Sequence, residues 1–530
     1  MKKFILSGLS VVLMFGGGFK TKTFVYPKEN NNNILLKVLS NYNETGLKYL
    51  NFLRNKAGEI NLSDNQYLDK AALNHAEYMN LNNIIGHYET DGYEGFTGVT
   101  PSDRAVAAGY KSKQVIENLS YGDKDINNSI DGLFSAIYHR FGFLNEWINE
   151  VGIGASGEGF VYDMGNSYLN ELCNEPQKDI NGAYYEGICA NSDLKIPVSD
   201  VNTSKTDIEK QNAKIIIWPV SNLPISPVFY DEEPDPLPNQ SVSGYPVSVK
   251  FNQYYFNKID MTDFKLYDEN SNEINTILLD KNTDPNNKLS DLEFAIFPKN
   301  RLDWGRKYTA VFDYEINGNE KEIKWSFYTK ALSYPYYKIN SNEFNATILP
   351  NKTYAFYFVP QDDNDKFNSV SASYNVKNLD FDFIDFNTVK VKLTGDVGQK
   401  AILTLGNKKL TLFIGNSENP KPILYENNET NIINSDNNQS IDLNETKSDY
   451  FSNLLNNLTT SWHLKGVSED INLSEYNKSD FLVWQYINNK WCVFTNNKNL
   501  NTIIKDKFID TCDIIKANSG FWIKQIKEIK

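Results

Sequence analysis

The sequence predicts a multidomain protein with one N-terminal domain of helices and short strands, followed by a β-sandwich and further β-rich modules. The chain has 530 residues, several times the roughly 150 residues of a typical domain. Between residues 35 and 141 apolar residues recur at helical spacing, and short strands follow them, which indicates an α/β or α+β domain. From residue 214 onward, short aromatic and β-branched segments alternate with turn residues, as in β-sandwiches.

The composition indicates a folded protein that does not bind nucleic acid. Hydrophobic residues make up 40% of the chain and aromatic residues 13%, which is enough to fill several cores. The formal net charge is −14, and binding to a phosphate backbone needs clustered Lys and Arg instead. We therefore expect no nucleic-acid partner.

The first 18 residues have the pattern of a signal peptide. Met1-Lys2-Lys3 is a basic start, an apolar run follows to Phe15, and Gly16-Gly17-Gly18 supplies small residues for cleavage. This pattern predicts a secreted or cell-surface protein with no transmembrane span in the mature chain, since the apolar run is shorter than the roughly 20 residues that span a bilayer. Because the cleavage motif is loose, an uncleaved anchor is the alternative. Residues 19–34 are polar and Asn-rich, and we interpret them as a flexible leader.

Four cysteines suit an oxidising compartment. Their spacing suggests two local disulfides, Cys173 with Cys189 and Cys492 with Cys512, and the sequence has no CxxC metal motif. Four reduced, buried thiols are the alternative.

Helix signals mark the N-terminal domain. A first helix is predicted over residues 35–56, with a break near Gly46, and a capping box of Ser63 and Gln66 predicts the start of a second. Thr100-Pro101-Ser102-Asp103 starts a short helix that stops at Gly109. Residues 130–141 keep a 3.6-residue period, which predicts one helix with His139 near its C-terminal end.

Three of the four histidines, His75, His87 and His139, fall within residues 68–154. Histidine readily serves as a ligand or proton carrier near neutral pH, so this concentration suggests a site. His75 lies on the apolar face of its predicted helix, and this position favours a hydrogen-bonded core residue. A role as a third cleft ligand is the alternative.

Several motifs between His75 and Gly154 resemble the CAP superfamily of cysteine-rich secretory, antigen 5 and pathogenesis-related proteins, in its bacterial secreted form. The matching pieces, in order, are HAxYM from His75, NxxGH ending at His87, PxDRxxxAGY from Pro101, ENxSxG from Glu117, His139-Arg140, and ExGxG from Glu150. The resemblance covers about a quarter of the chain, and the number and order of the motifs make it specific.

This resemblance implies an α-β-α sandwich, here residues 35–192 with the cysteine hairpin, and a surface cleft. The cleft residues carried over are His87, His139 and Glu117, with His75 as a further candidate, and His87 and His139 would bind a divalent metal such as Zn²⁺. The family often has a second acid three residues before the second histidine, where this chain has Ala136, so a complete set of two acids is in doubt.

The rest of the chain divides into modules and linkers. A run of oxygen-bearing side chains is spaced roughly like a calcium loop: Asp280, Asn282, Asp284, Asn286 and Asp291. Pro285 stands where that loop needs glycine, so we interpret them as a solvated loop. The aromatic residues of the C-terminal segment are interpreted as the core of a small domain, and a carbohydrate-binding platform is the alternative. We predict a linker over 193–213, an Ig-like β-sandwich over 214–330, a β-rich domain over 331–415, a linker over 416–448 and a small aromatic-rich β domain over 449–530.

Three functions fit these observations. The first is an extracellular binding protein for a lipid or sterol, a cell-wall glycan or another protein, with or without a divalent metal in the cleft. The second is a metal-dependent hydrolase, most plausibly a peptidase, with His87 and His139 as ligands and Glu117 as the catalytic base. The third is a surface adhesin whose β modules form the binding surface.

Overall fold

The structure is a computed structural model. It describes residues 12–13, 32–177, 180–316 and 318–424, and in the C-terminal part residues 463–467, 471–476, 480–487, 490–497, 514–515 and 519–525. Apart from residues 12–13 and 32–34, the predicted signal peptide and leader lie outside the described residues. The chain divides into one compact unit up to residue 428 and a second from residue 429.

The N-terminal domain contains seven helices and short strands among its described residues. The helices are α1 (Asn32–Ala57), α2 (Gln66–Asn82), α3 (Pro101–Ala108), α4 (Ile126–Ser135), α5 (Ile137–Phe143), α6 (Ser167–Asn174) and α7 (Val198–Glu209). The strands are β1 (Ser63–Asp64), β2 (Ile116–Tyr121), β3 (Glu150–Ser156), β4 (Gly159–Gly165), β5 (Tyr184–Tyr185) and β6 (Ile196–Pro197).

Helices cover both faces of the sheet β1-β3-β4-β2. Side chains alternate along a strand, so Ile153 packs with α1 and α4 on one face, while Gly154 on the other face lies against the backbone of α2. A Cβ at Gly154 would lie 2.2 Å from the carbonyl carbon of Ala72, so only glycine allows this close approach. This arrangement confirms the α-β-α sandwich.

Two predicted helix starts have different outcomes. Thr100 and Asp103 form the expected capping box of α3, and Gly109 ends that helix in the left-handed conformation. The predicted box of Ser63 and Gln66 is wrong, because Ser63 is part of β1 and the side chain of Asn65 caps α2. Helix α1 continues through Gly46 without the predicted break.

The single helix predicted over residues 130–141 is also wrong. The backbone is extended at Ala136, with ψ of 121°, so that α4 ends at Ser135 and α5 begins at Ile137. His139 therefore lies in the first turn of a new helix and not at the end of a long one. The apolar period continues across the break because α4 and α5 both bury apolar residues.

The predicted linker 193–213 is an ordered part of the domain. Its helix α7 places Val201 in an apolar cluster with Leu169 and with the disulfide of Cys173 and Cys189, which confirms that predicted pair. The sequence reads as polar because α7 buries only a narrow stripe. Cys492 is also disulfide-bonded, and its predicted partner Cys512 lies outside the described residues.

The second module, residues 214–330, is a β-sandwich. Its strands are β7 (Ile215–Trp218), β8 (Val228–Phe229), β9 (Ser243–Gly244), β10 (Val247–Phe251), β11 (Asp260–Tyr267), β12 (Glu273–Ile274), β13 (Thr276–Leu279), β14 (Glu293–Pro298), β15 (Lys307–Ile316) and β16 (Asn319–Tyr328). The sheets β13-β14-β10-β7 and β12-β11-β15-β16 face each other across aromatic pairs such as Phe294 and Phe312, whose ring centroids are 5.2 Å apart.

The N-terminal domain and the second module share one apolar core. Phe134 of α4 packs against Trp218 of β7 with ring centroids 4.7 Å apart, and both belong to a cluster that continues into both sheets of the second module. Helix α7 and this shared core therefore join the two parts without a flexible spacer.

The third module is a further β-sandwich, with sheet orders β17-β19-β22-β21 and β20-β23-β24-β18. Residues 419 and 423, in the predicted linker, still bridge to its strands. Its strands are β17 (Tyr336–Ile339), β18 (Glu343–Ile348), β19 (Thr353–Phe358), β20 (Val370–Tyr374), β21 (Asn378–Asp385), β22 (Thr388–Thr394), β23 (Lys400–Leu405) and β24 (Lys408–Ile414).

The C-terminal unit has a sheet of order β25-β30-β27-β28 among its described residues. Its strands are β25 (His463–Val467), β26 (Ile471–Asn472), β27 (Phe481–Ile487), β28 (Lys490–Thr495), β29 (Ile514–Ile515) and β30 (Ser519–Gln525). Within the residues that the structure describes, no helix combines the length and the apolar character needed to cross a bilayer.

Candidate functional site: a histidine cleft

Two imidazole rings lie side by side at the surface of the N-terminal domain. His87 is in the loop after α2 and His139 is in the first turn of α5, and their ring centroids are 6.3 Å apart with planes at 22°. The His87 side chain is 37% exposed and that of His139 is 12% exposed. We call the surface between these two rings the histidine cleft.

Glu117 of β2 holds the His87 ring from below. Its Oε1 is 2.8 Å from His87 Nδ1, and its Oε2 accepts a hydrogen bond of 2.5 Å from Arg104. The carboxylate is buried, and burial by itself would raise its pKa. The hydrogen bond from His87 and the positive charge of Arg104 outweigh burial and hold the pKa of Glu117 below its usual value.

Arg104 of α3 links the cleft to a second buried acid. Its guanidinium also donates to the backbone carbonyl of His87 at 3.0 Å and lies 3.7 Å from Glu89 Oε1. Arg104, Glu89 and Glu117 are all shielded from solvent, so one cation neutralises part of the charge of two carboxylates. This cluster fixes both the loop and the ring of His87.

Glu232 holds the His139 ring, and it comes from the second module, 93 residues further along the chain. Its Oε1 is 2.7 Å from His139 Nδ1 and also accepts the backbone N–H groups of Tyr138 at 2.9 Å and His139 at 3.1 Å. Ala136 cannot cap α5 with its side chain, so Glu232 supplies the missing N-cap. The sequence contains no local signal that pairs residues 139 and 232.

The two histidines therefore have the same arrangement. Each places Nδ1 against a buried carboxylate, and neither Nε2 has a hydrogen-bond partner among the described residues. A carboxylate accepts, so a neutral ring donates its Nδ1–H and keeps an unprotonated Nε2. With both rings neutral, the cleft offers two Nε2 lone pairs to a ligand.

His75 does not line the cleft, and the prediction of a cleft role for it is not supported. The ring is buried, with Nδ1 2.9 Å from Glu89 Oε1 and Nε2 2.9 Å from the carbonyl oxygen of Gly86. With both nitrogens engaged, His75 has no lone pair left for a ligand. It fixes the start of the loop that carries His87.

Asp163 is a buried acid that the sequence analysis missed. It lies opposite Glu117 in the pairing of β4 with β2, and neither of its oxygens has a hydrogen-bond partner. Burial, followed by the negative charge of Glu117, raises the pKa of Asp163 well above its usual value. The protonated form is therefore favoured beneath the cleft.

Residues 47–169 match the family model of CAP, the cysteine-rich secretory protein family. The chain contains a CAP domain. In this CAP domain the position of the second acid is occupied by Ala136, as the motifs indicated, and the carboxylate beside His139 is Glu232 of the second module.

Comparisons with solved structures give distant matches. An extracellular protein containing an SCP domain from Bacillus anthracis str. Ames is 19% identical, with a TM-score of 0.24, and the match covers 26% of this chain and 45% of that protein. Endo-fucoidan hydrolase MfFcnA4 of glycoside hydrolase family 107 is 10% identical over 56% of this chain and 38% of its own, with a TM-score of 0.16. The N-terminal part of the bacterial S-layer protein SbsC is 12% identical over 41% and 48%, also with a TM-score of 0.16.

These TM-scores are too low to support an argument about function, and this chain spans less than half the length of each of these three structures. No curated protein matches the sequence. The CAP assignment rests on the family model.

The side-chain chemistry of the CAP cleft suits a divalent metal, but the distance between its two histidine rings suits a metal less well. Histidines that bind a metal usually donate their other ring N–H to a carboxylate, as both do here. A metal bound at about 2.1 Å lies roughly 3.2 Å from a ring centroid, so two tetrahedral ligands have centroids about 5.2 Å apart, compared with the 6.3 Å observed. Among the described residues, no three His, Cys, Asp or Glu side chains are grouped as a metal site.

Proposed function

We propose that the protein is exported and that the histidine cleft of its CAP domain binds a hydroxyl-rich glycan of the cell wall. Two features support export: the signal-peptide pattern of the first 18 residues and the disulfide between Cys173 and Cys189. The lipid or sterol and protein ligands are then outcomes that the binding experiment must exclude.

The observation that carries this proposal is the pair of unengaged Nε2 atoms. His87 and His139 are held in place by Glu117 and Glu232, so neither ring must reorganise to accept a hydrogen bond. A ligand that presents two hydroxyl donors to acceptors on parallel rings can satisfy both at once. Neighbouring hydroxyls of a sugar ring have this character, whereas a sterol offers a single hydroxyl.

An exposed aromatic ring adjoins the cleft in sequence. Tyr88 follows His87 directly, and it is 68% exposed. Such a ring offers an apolar face on which the C–H face of a sugar can pack, while its hydroxyl stays in water. An exposed aromatic residue next in sequence to a cleft histidine is therefore a candidate contact for a glycan.

A divalent metal between His87 and His139 is the second candidate for the cleft. The Nδ1–carboxylate hydrogen bonds favour it, because they raise the basicity of the ligating nitrogens. When bound, the metal would supply a Lewis acid that polarises a ligand oxygen. The residues that would hold it are the two histidines, with Glu117 and Glu232 orienting them.

The hydrolase alternative is less well supported. The proposed base, Glu117, is 1% exposed, and its oxygens are occupied by His87 and Arg104. A general base must come within hydrogen-bond reach of the proton that it removes. Glu117 suits the orientation of His87 better than proton transfer to a substrate. The adhesin alternative for the β modules stays a prediction.

The binding experiment uses the full chain and soluble cell-wall glycan strands in titration calorimetry. The variants are His87→Ala, His139→Ala and Tyr88→Ala, and the matched control is His463→Ala, which changes a histidine of the C-terminal unit. Substitution of either cleft histidine by Ala should reduce the affinity for the glycan by about five- to tenfold, since one hydrogen bond contributes on the order of 1 kcal/mol.

Binding by wild type and by His463→Ala, with loss in both cleft variants, would support the proposal. Absence of glycan binding, or binding only to sterol-containing vesicles or to a protein, would overturn it. Zinc content measured on the same samples tests the second candidate, which predicts that His87→Ala and His139→Ala both lose the metal.

A further inference from the structure

The helix that carries His139 is packed into the second module. Ile137 and Phe141, on the apolar face of α5, belong to one buried cluster with Phe229, Leu237 and Phe297, which are all residues of the second module. The remaining members of the N-terminal domain's core lie in other clusters. The core of the second module therefore holds this face of α5, while Phe143 at the end of the helix packs with Phe134 and Tyr162 of its own domain.

Polar contacts fix the same helix to the second module. The Tyr138 hydroxyl donates to Asp284, and Asn286 Nδ2 donates to the Tyr138 hydroxyl at 3.1 Å. Two residues further along α5, Arg140 donates a hydrogen bond to Ser248 Oγ at 2.9 Å. Asp284, interpreted from sequence as part of a solvated loop, is in fact buried at this interface.

Glu232 brings these contacts to the cleft itself. A single buried oxygen accepts two backbone N–H groups at the start of α5 and faces Nδ1 of His139. The same carboxylate thus sets where the helix begins and how the ring is oriented. His87, by contrast, has its polar contacts within the described part of the chain to Glu117 and Arg104, which both belong to the CAP domain.

We propose that the second module is a working part of the cleft, with Glu232 as the positioning residue of His139. The carboxylate holds the neutral ring in the Nδ1–H tautomer and so keeps Nε2 unprotonated for the ligand. Ligand binding is then coupled to the docking of α5 on the second module. The coupling between ligand binding and the docking of α5 rests on the proposed function. The positioning of the His139 ring by Glu232 is independent of that function.

Nitrogen NMR of the histidine rings tests the positioning role directly. The full chain has four histidines, so selective ¹⁵N-histidine labelling gives few signals, and His139→Gln assigns the relevant one. The variants are Glu232→Ala, which removes the acceptor, and Glu232→Gln, which removes the charge but retains an acceptor oxygen. Glu233→Gln is the matched control, because it removes one charge from the adjacent, exposed position.

In wild type without ligand, His139 should carry its proton on Nδ1. In Glu232→Ala the ratio of the Nε2–H to the Nδ1–H tautomer should rise at least about tenfold, since hydrogen bonds to charged groups are the stronger class. Glu232→Gln should retain most of the Nδ1–H form, and Glu233→Gln should match wild type. His87 should remain unchanged in all three variants.

A wild-type His139 with its proton on Nε2 would overturn the inference without any variant, so a failure of Glu232→Ala to fold does not remove the test. An unchanged tautomer in folded Glu232→Ala would overturn it equally. Glycan titration on the same samples separates the two proposals. A tautomer change without glycan binding in wild type would leave the positioning role standing and refute the proposed function.

Discussion

Removal of Arg104 should destabilise the CAP domain strongly and in a pH-dependent way. Arg104→Met leaves Glu89 and Glu117 buried without their shared cation. Loss of one partner from a buried ion pair costs about 3–5 kcal/mol, and we expect the lower end because His75 and His87 still contact the two carboxylates. The free energy of opening of β2 should fall by about 3 kcal/mol at pH 7.

The pH dependence follows from the pKa of Glu117. In wild type this pKa is depressed despite burial, by the hydrogen bond from His87 and then by Arg104. A depressed carboxyl pKa contributes stability that is present above the unfolded value of about 4.3 and is lost as the pH falls through the folded value. Without Arg104 much of this contribution is missing, so the difference between wild type and variant should stay nearly constant between pH 7 and about 4.3 and should shrink as the pH falls below that value.

Hydrogen exchange of peptides from β2, followed by mass spectrometry of the full chain, measures this local free energy. Arg140→Met is the matched control. Its guanidinium is equally buried but donates to the Phe134 carbonyl and Ser248 Oγ, and no carboxylate lies within ion-pair distance among the described residues. A loss below about 1 kcal/mol in Arg104→Met, or the same pH dependence in both variants, would refute the reasoning.

Three further predictions concern stability. Gly154→Ala should cost at least about 2 kcal/mol, measured by denaturant unfolding of the full chain, since its Cβ would lie 2.2 Å from Ala72 backbone. Replacing Cys173 and Cys189 together by Ser should cost about 3 kcal/mol, visible as faster proteolysis of residues 174–190. Burial raises the pKa of Glu59 to about 7, so between about pH 4 and 7 the folded state keeps a proton that the unfolded state releases. The free energy of unfolding should therefore fall across this range by up to roughly 1.4 kcal/mol per pH unit. Glu59→Gln should flatten this slope in thermal melts recorded at several pH values.

Local signals in the sequence predicted many of the elements. The capping box of Thr100 and the stop at Gly109 depend on contacts within a few residues, and both occur as expected. The disulfide between Cys173 and Cys189 closes a short loop, which made the pairing readable from spacing. The break at Ala136 was missed because a strong apolar period continued across it.

Some of the site residues could likewise be predicted from local motifs, and others could not. The motifs of a single domain named His87, Glu117 and His139, and the structure brings these three residues to one cleft. The buried Asp163 lay in a strand whose pattern gave no sign of chemistry. Glu232 belongs to an acidic segment of another module, where nothing in the sequence relates it to His139.

The sequence by itself determined the CAP domain, the series of β modules and the two histidines, because helix caps, periodicity and motif order are short-range properties of the chain. Only the tertiary structure decided which nitrogen atoms remain available and which carboxylate stands in for the acid missing at Ala136. Packing of α5 against the second module brings Glu232 to within 2.7 Å of His139, and such a contact between modules depends on the shared core and not on any local pattern.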